Sequence, residues 1–187
     1  FSGDALQAAS DLLNELAPAR VGFELEYLTC ASHRKLRSMV SKSSKLVSLT
    51  RTVEDLRIVK DGQEIETIRK AVALADECFS HILSVTKPGM TERDVALEIY
   101  LFMYRRGWRA AFDSIVAAGP NGALPHYKPA DAILQPGQSV TLDFGANVSG
   151  YNSDITRTIF IGQPDEKQRE VYNVVLEAQL AAIAAIK

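Results

Sequence analysis

Residues 138–162 read QSVTLDFGANVSGYNSDITRTIFIG, two strand-like apolar stretches either side of a turn-forming centre. The pattern predicts an antiparallel hairpin. Each arm carries one acid, Asp143 in VTLDFGA and Asp154 in NSDITRTIFIG. If the hairpin folds with Asn147 opposite Gly150, the same register sets Asp143 directly opposite Asp154 on one face, with Cβ atoms ~5 Å apart. Like charges opposed in this way repel, so stability alone gives no reason to keep them. A divalent cation between the carboxylates reverses the sign of that interaction. Hard oxygen ligands favour manganese, magnesium or calcium, and zinc or cobalt are also compatible. The plainer reading is that Asp143 precedes a turn and Asp154 caps or flanks one. Thr156 and Thr158 share the strand parity of Asp154, so either hydroxyl is placed to hydrogen-bond a metal ligand from outside it; the alternative is simple strand propensity.

Upstream of the hairpin, the strand-like FDSIVAAG (112–119) leads into the turn-rich PNGALPHYKPAD (120–131), which contains His126 between Pro125 and Tyr127. A lone histidine in such a loop serves either as a solvated, hydrogen-bonded residue or as a catalytic one. Further back, IVKDGQEIETIRKAVALADECFSHILSV (58–85) contains a long helix starting near Asp61, with Ile65, Ile68, Val72, Ala75 and Phe79 along one stripe. Pro88 and Gly89 break it, and Thr91 with Asp94 has capping-box spacing for a second helix running to about Arg106, before Gly107. Downstream of the hairpin a last helix begins near Asp165 and continues to the end, with Val171, Val174, Val175, Ala178 and Ala182 on its apolar side.

Before residue 55 the pattern is different. Residues 4–17 are amphipathic and helical up to Pro18, Arg20–Phe23 reads as a short strand, residues 28–41 as a helix, and Lys45–Leu49 as another strand. The expected boundary lies at residues 55–60, with residues 1–56 ending one domain and residues 57–187 opening the next. The fold class is α/β, of the mixed α+β kind.

The 187 residues are 47% hydrophobic and 24% charged with net charge −2, which gives no electrostatic reason to seek nucleic acid or acidic membranes. Cys30 and Cys78 are too few for a disulfide framework and form no CxxC pair, so both are expected to be reduced and buried. No apolar run approaches the ~18 residues of a membrane span, and the start FSGDALQAASDLL is acidic where a signal peptide is basic and then apolar, so a cytoplasmic location is expected. Phe1 and the unterminated LEAQLAAIAAIK make both ends read as those of an internal fragment.

Taken together, KPGMTERDVALEI (87–99), IVAAGPNGALPHYKPAD (115–131) and TLDFGANVSGYNSDITRT (141–158) resemble the pita-bread metallopeptidases: prolidases, Xaa-Pro aminopeptidases and, more distantly, methionine aminopeptidases. The resemblance covers about residues 57–187, and residues 1–56 look like the end of the N-terminal domain of the proline-specific branch. It implies hydrolysis of peptide bonds next to proline at a pair of divalent metal ions, with manganese first and cobalt or zinc as alternatives. It also implies that Asp143 binds one metal, that Asp154, eleven residues on, bridges both, and that His126 contacts substrate and supports the tetrahedral intermediate. The expected partner is a peptide with proline in the second position, and the expected assembly a homodimer. The family takes a further His and two Glu ligands from a second half of the domain, which residues 155–187 do not supply; Glu166, Glu170 and Glu177 read as a solvated helix face. Two alternatives stay open, a creatinase-type hydrolase without metal and a pseudo-peptidase that binds peptides or proteins. The paired aspartates argue against both.

Overall fold

The computed structural model describes residues 4–186. The chain divides into two compact units, the first ending at Lys60 and the second beginning at Asp61.

In the first unit, helix α1 (Ala5–Leu16) starts under the Asp4 carboxylate, which accepts the Leu6 N–H, and stops at Ala17, whose left-handed backbone precedes Pro18. Strand β1 (Arg20–Glu24), helix α2 (Cys30–Met39) and strand β2 (Lys45–Leu49) follow, the strands pairing in parallel from Arg20–Lys45 to Glu24–Leu49. The sequence reading misses helix α3 (Thr52–Ile58), placed where it expects the start of a boundary. That helix has seven residues, no side-chain cap and no buried residue, so it carries none of the usual signals. Cys30 is exposed, against expectation. As the first residue of α2 it lies outside the buried side of the helix, which is centred on Leu36.

The second unit opens with helix α4 (Gly62–Val85), whose N-terminus closes a reciprocal box between Asp61 and Glu64. The buried stripe of α4 is Ala71, Leu74, Ala75, Cys78 and Ile82, so the expected stripe is rotated and only Ala75 belongs to both. Small residues decide the rotation, because Ala71, Ala75 and Cys78 let neighbouring backbone come close. Ser153 Oγ donates to the Ala71 carbonyl at 2.9 Å. Burial pushes the Cys78 thiol up to about 12, so it is an inert apolar group. Helix α5 (Glu92–Arg105) begins at the Thr91–Asp94 capping box, as its spacing predicts. Val95, Ile99, Phe102 and Met103 face α4 and the sheets, each contributing roughly 1.5–3 kcal/mol of burial.

Two small antiparallel sheets complete the unit. One holds β3 (Arg109–Ala110), β6 (Ala146–Val148) and β7 (Tyr151–Asn152) in the order β3-β6-β7. The other holds β4 (Ile115–Ala118), β5 (Ser139–Phe144) and β8 (Ile155–Phe160) in the order β4-β5-β8. The predicted hairpin is therefore one ribbon shared by two sheets. It bends at Gly145, where a Cβ would lie 1.8 Å from the Ser153 carbonyl oxygen, and the Ser153 hydroxyl accepts the Ala146 N–H in the bend.

The register also differs from the expected one. Asn147 pairs with Asn152 and Val148 with Tyr151, so the two-residue loop is Ser149–Gly150, with φ of 51° and 88°. Positive φ at both central residues is the type I′ arrangement, and glycine fills the second position at no steric cost. The same register runs on to pair Asp143 with Thr156, so Asp143 is not directly opposite Asp154. Because the slip moves the partner by two residues, every side chain keeps its face.

Helix α6 (Glu166–Ala185) starts at a box between Asp165 and Gln168 and buries no residue. Val171, Tyr172, Val175 and Leu176 line a groove of about 730 Å³ against Thr156, Thr158 and Phe160 of β8, whereas Val174, Ala178 and Ala182 lie outside it. The ring of Tyr172, absent from the expected stripe, meets that of Phe160 edge-on at 6.2 Å and so selects which side of the helix faces β8. The helix, expected to continue to the end, stops at Ala185 before an extended Ile186, and Lys187 lies outside the described residues, as does the reading of Phe1–Gly3. Among the described residues no helix is long and apolar enough to cross a membrane.

Candidate metal centre

Strand β5 alternates Val140, Leu142 and Phe144 into the core with Ser139, Thr141 and Asp143 on the open face. Asp143 is thus carried half-buried on a rigid central strand, between Ile115 of β4 and Thr156 of β8. Asp154 lies just before β8, at the position that continues the register opposite Gly145, and is exposed. It is the diagonal neighbour of Asp143 on the same face, and the glycine opposite it leaves the face between the two acids open.

The Asp143 carboxyl is held above the ordinary aspartate range. Burial is the main cause, followed by the charge of Asp154 and a hydrogen bond between the two carboxyl groups. A hydrogen bond with Thr156 and the charge of His126 act in the opposite direction. Three candidate residues, Asp154, Thr156 and His126, therefore act on the fourth, Asp143. Crowding two carboxyl groups in a partly desolvated site is unfavourable by itself, and a hard divalent cation removes that penalty, so the all-oxygen donor set fits one. Among the described residues no three His, Cys, Asp or Glu side chains come together as a metal site, so the aspartates supply only part of a coordination shell.

A stability measurement checks this electrostatic picture. The folded-state pKa of Asp143 is raised above the ordinary aspartate range, so the protonated form favours the fold and that contribution is lost as pH rises through the folded value. In the metal-free full-length protein, Asp143→Asn accordingly raises Tm near neutral pH by a few degrees and flattens its fall between acid and neutral pH. A lower Tm for the variant would show that the pair is not repulsive.

His126 sits on the loop between β4 and β5 with φ of 55°, a left-handed backbone that a non-glycine residue keeps only where its surroundings hold it. Its side chain is exposed. What holds the loop is a residue the sequence reading passes over. Glu92, the first residue of α5, is fully buried. It accepts hydrogen bonds from Ala118 N at 2.7 Å, Asn121 Nδ2 at 2.9 Å, Tyr127 Oη at 2.8 Å and Ala130 N at 3.2 Å. That carboxylate raises the Tyr127 phenol above its usual range, mainly by accepting its hydrogen. In the sequence, Glu92 is an acid in the first turn of a helix, where acids are common for dipole reasons, and nothing local reveals its burial.

The description "Metallopeptidase family M24" matches residues 66–187, and "Creatinase/Prolidase N-terminal domain" matches residues 2–59. The chain belongs to the metallopeptidase family M24. It is 39% identical over 186 residues to an uncharacterized peptidase of Bacillus subtilis, covering 99% of this chain and 52% of that protein. It is 45% identical over 136 residues to a Xaa-Pro dipeptidase of Pyrococcus furiosus, covering 72% of this chain and 39% of that one. A solved Xaa-Pro dipeptidase from Bacillus anthracis superposes with a TM-score of 0.91 at 39% identity, over 100% of this chain and 52% of the other. The X-Pro aminopeptidase of Thermotoga maritima gives 0.89 at 33%, over 100% and 53%. The chain thus spans about half the length of these relatives, and its mixed α/β fold resembles the N-terminal part of prolidase structures.

Proposed function

We propose that the complete protein is a metal-dependent peptidase for bonds next to proline, acting as a Xaa-Pro dipeptidase or aminopeptidase. The observation that supports this most is the pair Asp143 and Asp154 on one open face beside Thr156, with the charge of the loop residue His126 felt at Asp143, in a member of family M24. In this reading residues 57–187 open the catalytic domain and residues 1–56 close the domain before it. Asp143 and Asp154 are ligands to two divalent cations, manganese before cobalt or zinc, with the remaining ligands from elsewhere in the complete protein. When bound, the cations supply Lewis acidity toward water and the scissile carbonyl. Thr156 holds the Asp143 carboxylate in its ligating orientation. His126 donates to the carbonyl oxygen of the substrate as it gains negative charge. The protein is proposed to be cytoplasmic and homodimeric.

Metal analysis of the full-length protein, alongside turnover of a peptide with proline in the second position, tests the reading. Bound divalent metal and proline-dependent hydrolysis are expected. Hydrolysis of a small guanidino compound without metal would favour the creatinase type, and intact metal ligands without turnover of any peptide would favour the pseudo-peptidase. Residues 1–187 by themselves are expected to bind manganese weakly in calorimetry, because two carboxylates leave most of the coordination shell to water. Nanomolar binding by those residues would mean that further ligands lie within them.

A further inference from the structure

The loop that carries His126 and the first turn of α5 hold each other in both directions. The N–H groups of Glu92 and Arg93, which the helix itself leaves unpaired, donate to the carbonyls of Ala132 and Ala130 at 3.0 and 3.1 Å. Thr91 forms a bridge with Ile133, and Arg93 pairs with Asp131 at 3.1 Å. In return Glu92 reaches across to both ends of the loop. One of its oxygens takes the Ala118 N–H, where β4 ends, together with the Asn121 amide; the other takes the Tyr127 hydroxyl and the Ala130 N–H, just after His126. Asn121 Nδ2 also donates to Tyr127 Oη at 2.9 Å, tying the two ends together.

We propose that Glu92 is a positioning residue that fixes the His126 loop by gathering both its ends on one buried carboxylate. The proposal rests on the role given to His126 in the previous section. Burying a carboxylate without a cation beside it costs heavily unless each oxygen is fully hydrogen-bonded, and here all four donors belong to the loop or to the strand end that opens it: the Ala118 and Ala130 N–H groups and the side chains of Asn121 and Tyr127. The loop therefore cannot shift without exposing an unpaired buried acceptor. That penalty keeps His126 in its left-handed conformation.

Glu92→Gln tests this because it preserves shape and replaces one acceptor with a donor. Either orientation of the amide sets its NH2 against a backbone N–H, that of Ala118 or that of Ala130, so no flip of the side chain repairs the site. In the full-length metal-loaded protein, hydrogen exchange of amides 118–130 should quicken roughly tenfold or more, the loss expected for one hydrogen bond to a carboxylate. Metal content should stay unchanged. The kcat for a proline peptide should fall with little change in KM, by no more than the loss caused by His126→Ala, and Glu92→Gln should cost nothing further in the His126→Ala background. Should Glu92→Gln fail to fold, Tyr127→Phe removes one of the four donors and should lower kcat several-fold, again only while His126 is present. Unchanged exchange in residues 118–130, or an equal fold-loss in both backgrounds, would overturn the proposal. Full turnover by His126→Ala alone is the separate result that would instead overturn the role given to that histidine.

Discussion

Asp154→Asn in the full-length protein is expected to abolish hydrolysis of a proline peptide and to strip the bound metal, while the protein stays folded. Asp154 is exposed just before β8, opposite a glycine, so it supports no core packing that the amide would lose. The carboxylate carries a full charge and two oxygens that would hold a divalent cation, whereas the amide is neutral and offers a single weak oxygen. At an effective dielectric of about 20, a unit charge ~4 Å from a monovalent cation contributes about 4 kcal/mol. Losing even that amount costs roughly three orders of magnitude in affinity, and the cations here are divalent. Relief of repulsion against Asp143 makes the metal-free variant slightly more stable than the metal-free parent. Metal analysis and turnover should be measured on the same preparation. Full activity in Asp154→Asn would defeat the metallopeptidase reading outright.

The parts of the molecule legible from the sequence are those fixed by local signals. Capping boxes at Asp61, Thr91 and Asp165, and the interruption at Pro88–Gly89, mark helix ends through bonds made within a few residues. Strand alternation in β5 places Asp143 on the open face, and parity alone puts Asp154 on that face under any even slip of register. The errors have long-range causes. The loop position depends on which two residues adopt positive φ, and the choice of Ser149–Gly150 over its neighbours moves the partner of Asp143 from Asp154 to Thr156. The face α4 buries is chosen by contacts with residues some eighty positions away, such as the bond from Ser153 to Ala71, which no helical period reports. Glu92 is hidden for the same reason, since its donors come from 26 to 38 residues further along the chain. A sequence can show where a helix begins but not which of its first residues the tertiary structure will bury.

His126→Ala separates metal binding from substrate chemistry at the same site. In the full-length enzyme it is expected to leave metal content near normal and to lower kcat by ~10²–10³-fold, the loss typical when one donor to a developing oxyanion is removed. The histidine lies on a loop rather than on the ribbon that carries the two acids, and it reaches Asp143 through its charge, with the Thr156 hydroxyl as the neutral donor on that carboxylate. Such a placement suits a group that meets the substrate across the site. Truncation removes an exposed side chain, so little stability should be lost, and any strain at its left-handed backbone remains because alanine has the same Cβ. Turnover should be measured with proline in the second position and bound metal determined alongside. Loss of metal in His126→Ala would move the histidine into direct coordination, and an unchanged kcat would leave stabilisation of the oxyanion to some other group.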